Sequence, residues 1–107
     1  MPLPMTKPAL PEEEQLFLLL RQLDLVPEAS QRVTAEALGI SLGRLNAQLR
    51  AASEAGLIRV EARPGPDRRQ RFAYTLTTRG ATEKSRLTES FLASKLAEYH
   101  ALHAEQI

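Results

Sequence analysis

The sequence predicts a mainly α-helical fold with one small β-hairpin, and three observations predict it. Apolar residues recur at helical spacing near the start, in the middle and near the end of the chain. Serines and glycines placed as helix caps cut the middle into two short helices. A Pro64-Gly65-Pro66-Asp67 turn then separates two short runs of strand-forming residues. The chain has 107 residues, the length of one domain. A domain this small buries only part of its apolar surface, so a long helix outside the core needs a partner.

Residues 1–11 hold four of the seven prolines and read as a flexible arm. Glu12, Glu13 and Glu14 stand where a helix N-terminus favours negative charge. Leu16, Leu19, Leu20 and Leu23 follow at helical spacing, and Pro27 ends that helix. Ser30 is a good N-cap for a short helix from about Gln31 to Leu38. Gly39 suits the left-handed position that stops it, and Ile40 plugs the turn. Ser41 caps a third helix that runs to about Ala55 and closes at Gly56. Two helices about three residues apart, with glycine between them, form a helix-turn-helix. Leu57 to Arg63 reads as a strand, and Phe72 to Thr77 alternates as a half-buried strand should. Thr78 is expected to cap a last helix of about 27 residues, roughly 40 Å long. The expected organisation is an arm at 1–11, a winged helix-turn-helix domain at 12–78 and a long dimerisation helix at 79–107.

Composition narrows the function. There is no cysteine, which excludes disulfides, thiolate metal sites and cysteine nucleophiles. The longest apolar stretch, Leu16 to Leu20, is too short for a signal peptide core or a membrane span. A cytoplasmic protein with no membrane partner is expected. Gly39 and Gly43 do not form a phosphate-binding loop, and no following lysine completes one. His100 and His103 stand three apart at the distal end and read as surface residues, not as a zinc site. No paired carboxylates fall in a cleft, so neither catalysis nor a cofactor is expected.

The net charge of +1 hides an uneven distribution. Between Arg44 and Arg86 ten basic residues face four acidic ones, an excess of +6. The first 28 residues have two basic and five acidic residues, and the segment from Leu87 onward has one and three. A basic centre between acidic ends suits a face that meets a polyanion, although a solvated mixed surface has the same pattern.

The third helix carries the most specific chemistry. On a helical wheel Leu42, Leu45, Leu49 and Ala52 share the side expected to face the core. The opposite side holds Gly43, Ala47, Arg50 and Ala51, with Arg44 and Asn46 on its flanks. The second helix of such a pair enters the DNA major groove. Small Gly43 and Ala47 let the backbone come close to base edges. Arg44 can donate two hydrogen bonds to guanine, and Asn46 can pair with adenine. Arg50, nearer the C-terminal end, is placed for a phosphate. Ser30, Gln31 and Ser41 stand at helix N-termini, whose free N–H groups bind phosphates. The serines can also be caps alone, and the two roles are compatible. Arg68, Arg69 and Arg71 surround the Pro-Gly-Pro turn, where arginine can enter a narrow minor groove or clamp the backbone. The plainer alternative is a solvated hairpin. The narrow major groove of A-form RNA would not admit the helix.

Ser30-Gln31-Arg32, Ala35 and the run Leu38 to Asn46 resemble the helix-turn-helix of MarR-type regulators. The closer resemblance is to the exopolysaccharide-associated MarR-family transcriptional regulators. A second block is similar to that group's hairpin and last helix: Phe72 to Gly80, Glu83-Lys84, Arg86-Leu87-Thr88, Phe91-Leu92, Lys95, Glu98-Tyr99 and Leu102. The resemblance covers about residues 12–106. It implies a winged-helix fold, a dimer, DNA binding through the third helix and wing, and a role near exopolysaccharide genes. Thr34 departs from the pattern, which has an apolar residue there, and the wing's Pro-Gly-Pro-Asp replaces a Lys/Asn-rich stretch. The chain lacks the extra helices that line effector pockets in this family, so no small-molecule effector is expected.

On the last helix Leu87, Phe91, Leu92, Tyr99 and Leu102 form a broad apolar stripe. A helix that outruns its core exposes such a stripe unless it pairs, and homodimerisation would cover it. Lys95 interrupts the heptad, so packed helices are expected in place of a long coiled coil. The alternative is that the stripe folds back on the first helix of the same chain. The expected function is sequence-specific binding of double-stranded DNA by a homodimeric transcriptional regulator. The alternative is a winged-helix module for protein contacts.

Overall fold

Leu16, Leu19, Leu20 and Leu23 repeat at intervals of three and four, which puts them on one helix face. In the computed structural model, which describes residues 10–65 and 70–106, helix α1 (Glu13–Leu25) buries all four. They meet Ala35, Leu45, Leu49, Ala52, Leu57, Ile58 and Leu87 in one core. Helices α2 (Gln31–Leu38) and α3 (Leu42–Glu54) follow, then strands β1 (Ile58–Pro64) and β2 (Gln70–Leu76), then helix α4 (Thr78–Glu105). The fold is mainly α-helical with one antiparallel hairpin: a winged helix-turn-helix with a long final helix.

The helix pair forms where its caps fall. The Ser30 hydroxyl accepts from the Val33 N–H at 3.2 Å, and the Ser41 hydroxyl accepts from the Arg44 N–H at 3.1 Å. Gly39 ends α2 at φ 67°, a left-handed conformation that glycine adopts without steric cost. Thr34 is buried beside Ala35, so the polar residue on α2 does not open the core.

The buried face of α3 differs from the expected one. Leu45, Leu49 and Ala52 are buried, but Leu42 is 47% exposed. Gln48 and Ala51 are buried in its place. The helix has turned on its axis so that its buried arc is centred between Gln48 and Ala52. Leu42 then falls at the edge of that arc, and Ala51 leaves the outer face.

Ile58 pairs with Leu76, Val60 with Tyr74 and Arg63 with Arg71 across the hairpin. The cap of α4 is Thr77 and not the expected Thr78, because Thr77 is the last residue with extended backbone. Its hydroxyl accepts from the Gly80 N–H at 3.0 Å and donates to the Gly56 carbonyl at 2.6 Å. Its N–H donates to the Leu57 carbonyl at 3.0 Å. A Cβ on Gly80 would lie 1.9 Å from the Leu57 oxygen. Only glycine lets α4 cross the chain this closely, and that crossing sets the helix direction.

The two halves of α4 behave differently. Leu87 is buried in the core, and the Phe91 ring stacks on Phe17 of α1 at 5.2 Å. Lys84 pairs with Asp24 at 2.7 Å and Arg86 with Glu13 at 3.3 Å, joining the same two helices. Leu87 is therefore withdrawn from the expected dimer stripe, and Phe91 is half-buried against its own chain. The proximal half follows the fold-back alternative because α1 lies within its reach. Beyond it, Leu92, Leu96, Tyr99 and Leu102 are 55–62% exposed.

Candidate nucleic-acid interface

The exposed face of α3 holds Gly43, Asn46, Ala47 and Arg50, with Arg44 on the flank toward α1. A Cβ on Gly43 would meet no atom within 4 Å, so nothing among the described residues requires glycine there. Gly43 and Ala47 are two small residues on this exposed face, which leaves the backbone there uncovered. The Arg44 guanidinium donates to the Gln15 side-chain carbonyl of α1 at 3.0 Å. A base contact by Arg44 would exchange that bond for one to guanine.

Ser30 and Ser41 act as caps. Gln31 is committed elsewhere: its Nε2 donates to the Tyr74 hydroxyl of β2 at 2.7 Å. The site thus joins the start of α2 to the hairpin, a contact spanning 43 positions that no local pattern reveals. Tyr74 was absent from the sequence-predicted contacts; only the alternation of β2 pointed to a half-buried ring there. Arg68 and Arg69 lie outside the described residues. Arg71 is placed by its backbone alone, opposite Arg63 on β1.

The fold redistributes the basic centre. Arg63 pairs with Glu28 and, at 3.4 Å, with Glu61. Hydrogen bonds to these carboxylates, Glu28 first, raise the Arg63 pKa. Arg86 bonds Glu83 at 2.6 Å, and this hydrogen bond holds the Glu83 carboxyl below its ordinary range. Arg63, Lys84 and Arg86 therefore face acids of the same chain, including Glu13, Asp24 and Glu28 from its acidic N-terminal part. Arg50 on α3 and Arg59 on β1 are exposed. Among the described residues no group of His, Asp and Glu has the arrangement to hold a metal. No helix among them is long and apolar enough to cross a membrane.

The distal stripe of α4 includes one residue that the sequence reading passed over. Leu96 lies four residues after Leu92 and three before Tyr99, a spacing that could have found it. Tyr99 stacks on His103 at 6.0 Å and meets His100 edge-on at 5.8 Å.

The winged helix-turn-helix DNA-binding family matches residues 13–59, from α1 to the start of β1. A MarR family protein of Mycobacterium tuberculosis, in complex with salicylic acid, is 25% identical at a TM-score of 0.63. That likeness covers 78% of this chain and 60% of the mycobacterial one, so this chain spans under two thirds of its length. A Streptococcus transcriptional regulator is similar at a TM-score of 0.66 and 18% identity, over 82% of this chain and 93% of that one. Wild-type MarR of E. coli, in its apo form, has a TM-score of 0.53 and 23% identity, over 86% and 76%. No curated protein sequence matches the chain.

Proposed function

We propose that this chain is a sequence-specific, double-stranded DNA-binding transcriptional regulator that acts as a homodimer and catalyses no reaction. One observation carries the reading: a capped helix pair presents exposed Gly43, Asn46, Ala47 and Arg50 beside a hairpin. That arrangement suits insertion of α3 in the major groove, with the hairpin along the adjacent backbone or minor groove. The match to a DNA-binding family and the likeness to MarR-type regulators support it. The exposed stripe at Leu92, Leu96, Tyr99 and Leu102 supplies the dimer face, which would set two α3 helices about one DNA turn apart. The sequence resemblance extends the proposal to genes of exopolysaccharide synthesis, and the protein is placed in the cytoplasm.

Selection of duplexes from a random pool tests this reading. Enrichment of an inverted repeat with half-sites about ten base pairs apart supports a dimeric DNA reader. A pool that stays random after several rounds contradicts it and leaves a protein-contact module. The reading keeps the expectation that no small molecule controls the protein. Release of the selected duplex by salicylic acid, the ligand of the mycobacterial neighbour, would overturn that part alone.

A further inference from the structure

We infer that Tyr74 is a positioning residue that fixes the hairpin against the start of α2 through Gln31, so that helix pair and hairpin meet DNA at a set angle; this rests on the DNA-binding reading above. A two-stranded hairpin is marginally stable by itself, so its orientation depends on what it is tied to. Here three ties converge on the five residues from Pro27 to Gln31. The Tyr74 N–H, on the edge of β2 away from β1, donates to the Pro27 carbonyl at 3.1 Å. The Tyr74 hydroxyl accepts from Gln31 Nε2 at 2.7 Å. Arg63 of β1 pairs with Glu28.

Of the three, the Tyr74–Gln31 bond is a part-buried side-chain contact that reaches α2 itself. The Arg63–Glu28 pair is exposed on both sides and is screened by salt. The Tyr74 ring packs against the core, so it holds its hydroxyl at a fixed place over the first residue of α2. Removing that hydroxyl keeps the ring packing and the backbone bond. It therefore loosens the angle of the hairpin to α2 without dismantling the fold.

The test uses the full chain as wild type, Y74F, Q31A and the double variant, with the duplex enriched from the random pool as probe. Anisotropy titrations over a range of salt give both affinity and salt slope. Y74F is expected to weaken binding about three- to tenfold, the scale of one lost hydrogen bond. It is also expected to flatten the salt slope by about one unit, as a hairpin–phosphate contact is lost. A mere loss of folded protein lowers the active fraction at every salt concentration and leaves the slope alone. In the Q31A background Y74F should change nothing further, and without DNA it should speed amide exchange across the hairpin while α1 and α3 stay protected. An unmoved slope, or an additive loss in the double variant, overturns the inference while the DNA-binding reading stands. If the wild-type chain binds no duplex, that reading fails first and the role of Tyr74 falls with it.

Discussion

Gly43 and Gly80 both sit inside helices, and the fold treats them in opposite ways. Gly43 has open space around it, so Gly43→Ala should stabilise the free protein by up to about 0.5 kcal/mol through helix propensity, the low end because it stands in the first turn of α3. The same methyl would stand between the backbone and a base edge, so DNA affinity should fall while the melting temperature rises. Equal or tighter DNA binding by Gly43→Ala would remove Gly43 from the contact. At Gly80 the added carbon would collide with the Leu57 carbonyl, and Gly80→Ala should destabilise by about 1–3 kcal/mol in thermal unfolding. Local spacing put Gly43 on the outer face of α3 but gave no reason for Gly80, which depends on a backbone 23 positions away. Gln31 is a similar case. Its place at a helix N-terminus was readable, but its bond to Tyr74 depends on how the hairpin folds back.

Elements whose signals are local were the legible ones. Ser30, Gly39 and Ser41 mark the helix pair within a residue, because caps and left-handed glycines act over one turn. Ser41→Ala should therefore cost about 1 kcal/mol in denaturant unfolding, and a loss near zero would mean that Ser41 does not cap in solution. The rotation of α3 was not legible, since it is set by packing around Gln48 and Ala51 and not by the positions of its leucines. Helix α4 was legible in length but not in use: its proximal half packs on α1 through Phe17 and two ion pairs. Within that half, Arg86 lowers the Glu83 pKa from its ordinary 4.5. A carboxylate with a lowered folded-state pKa contributes stability above about pH 4.5 that is lost as pH falls through the lowered value. Glu83→Gln should therefore flatten the stability profile below that pH, and an identical acid limb in wild type and variant would contradict the assignment.

For the whole molecule, the basic excess seen along the chain is partly offset at the surface, since Arg63, Lys84 and Arg86 pair with acids of the same chain. On the proposed function, attraction to DNA would draw on exposed Arg44, Arg50 and Arg59, doubled in a dimer. In the proposed dimer, the exposed distal stripe of α4 is the face between the two copies. Leu96→Glu with Tyr99→Glu should give folded monomers in sedimentation, because both residues are exposed in the single chain. A persistent dimer would move the interface elsewhere. The measurement that bears most directly on the central claim is an anisotropy titration of a selected duplex and a scrambled one at two salt concentrations. A dimeric DNA reader should bind the selected duplex at least about a thousandfold more tightly at low salt. It should lose roughly three orders of magnitude or more between about 50 and about 200 mM salt. Equal, weak and salt-independent binding of both duplexes would contradict the account.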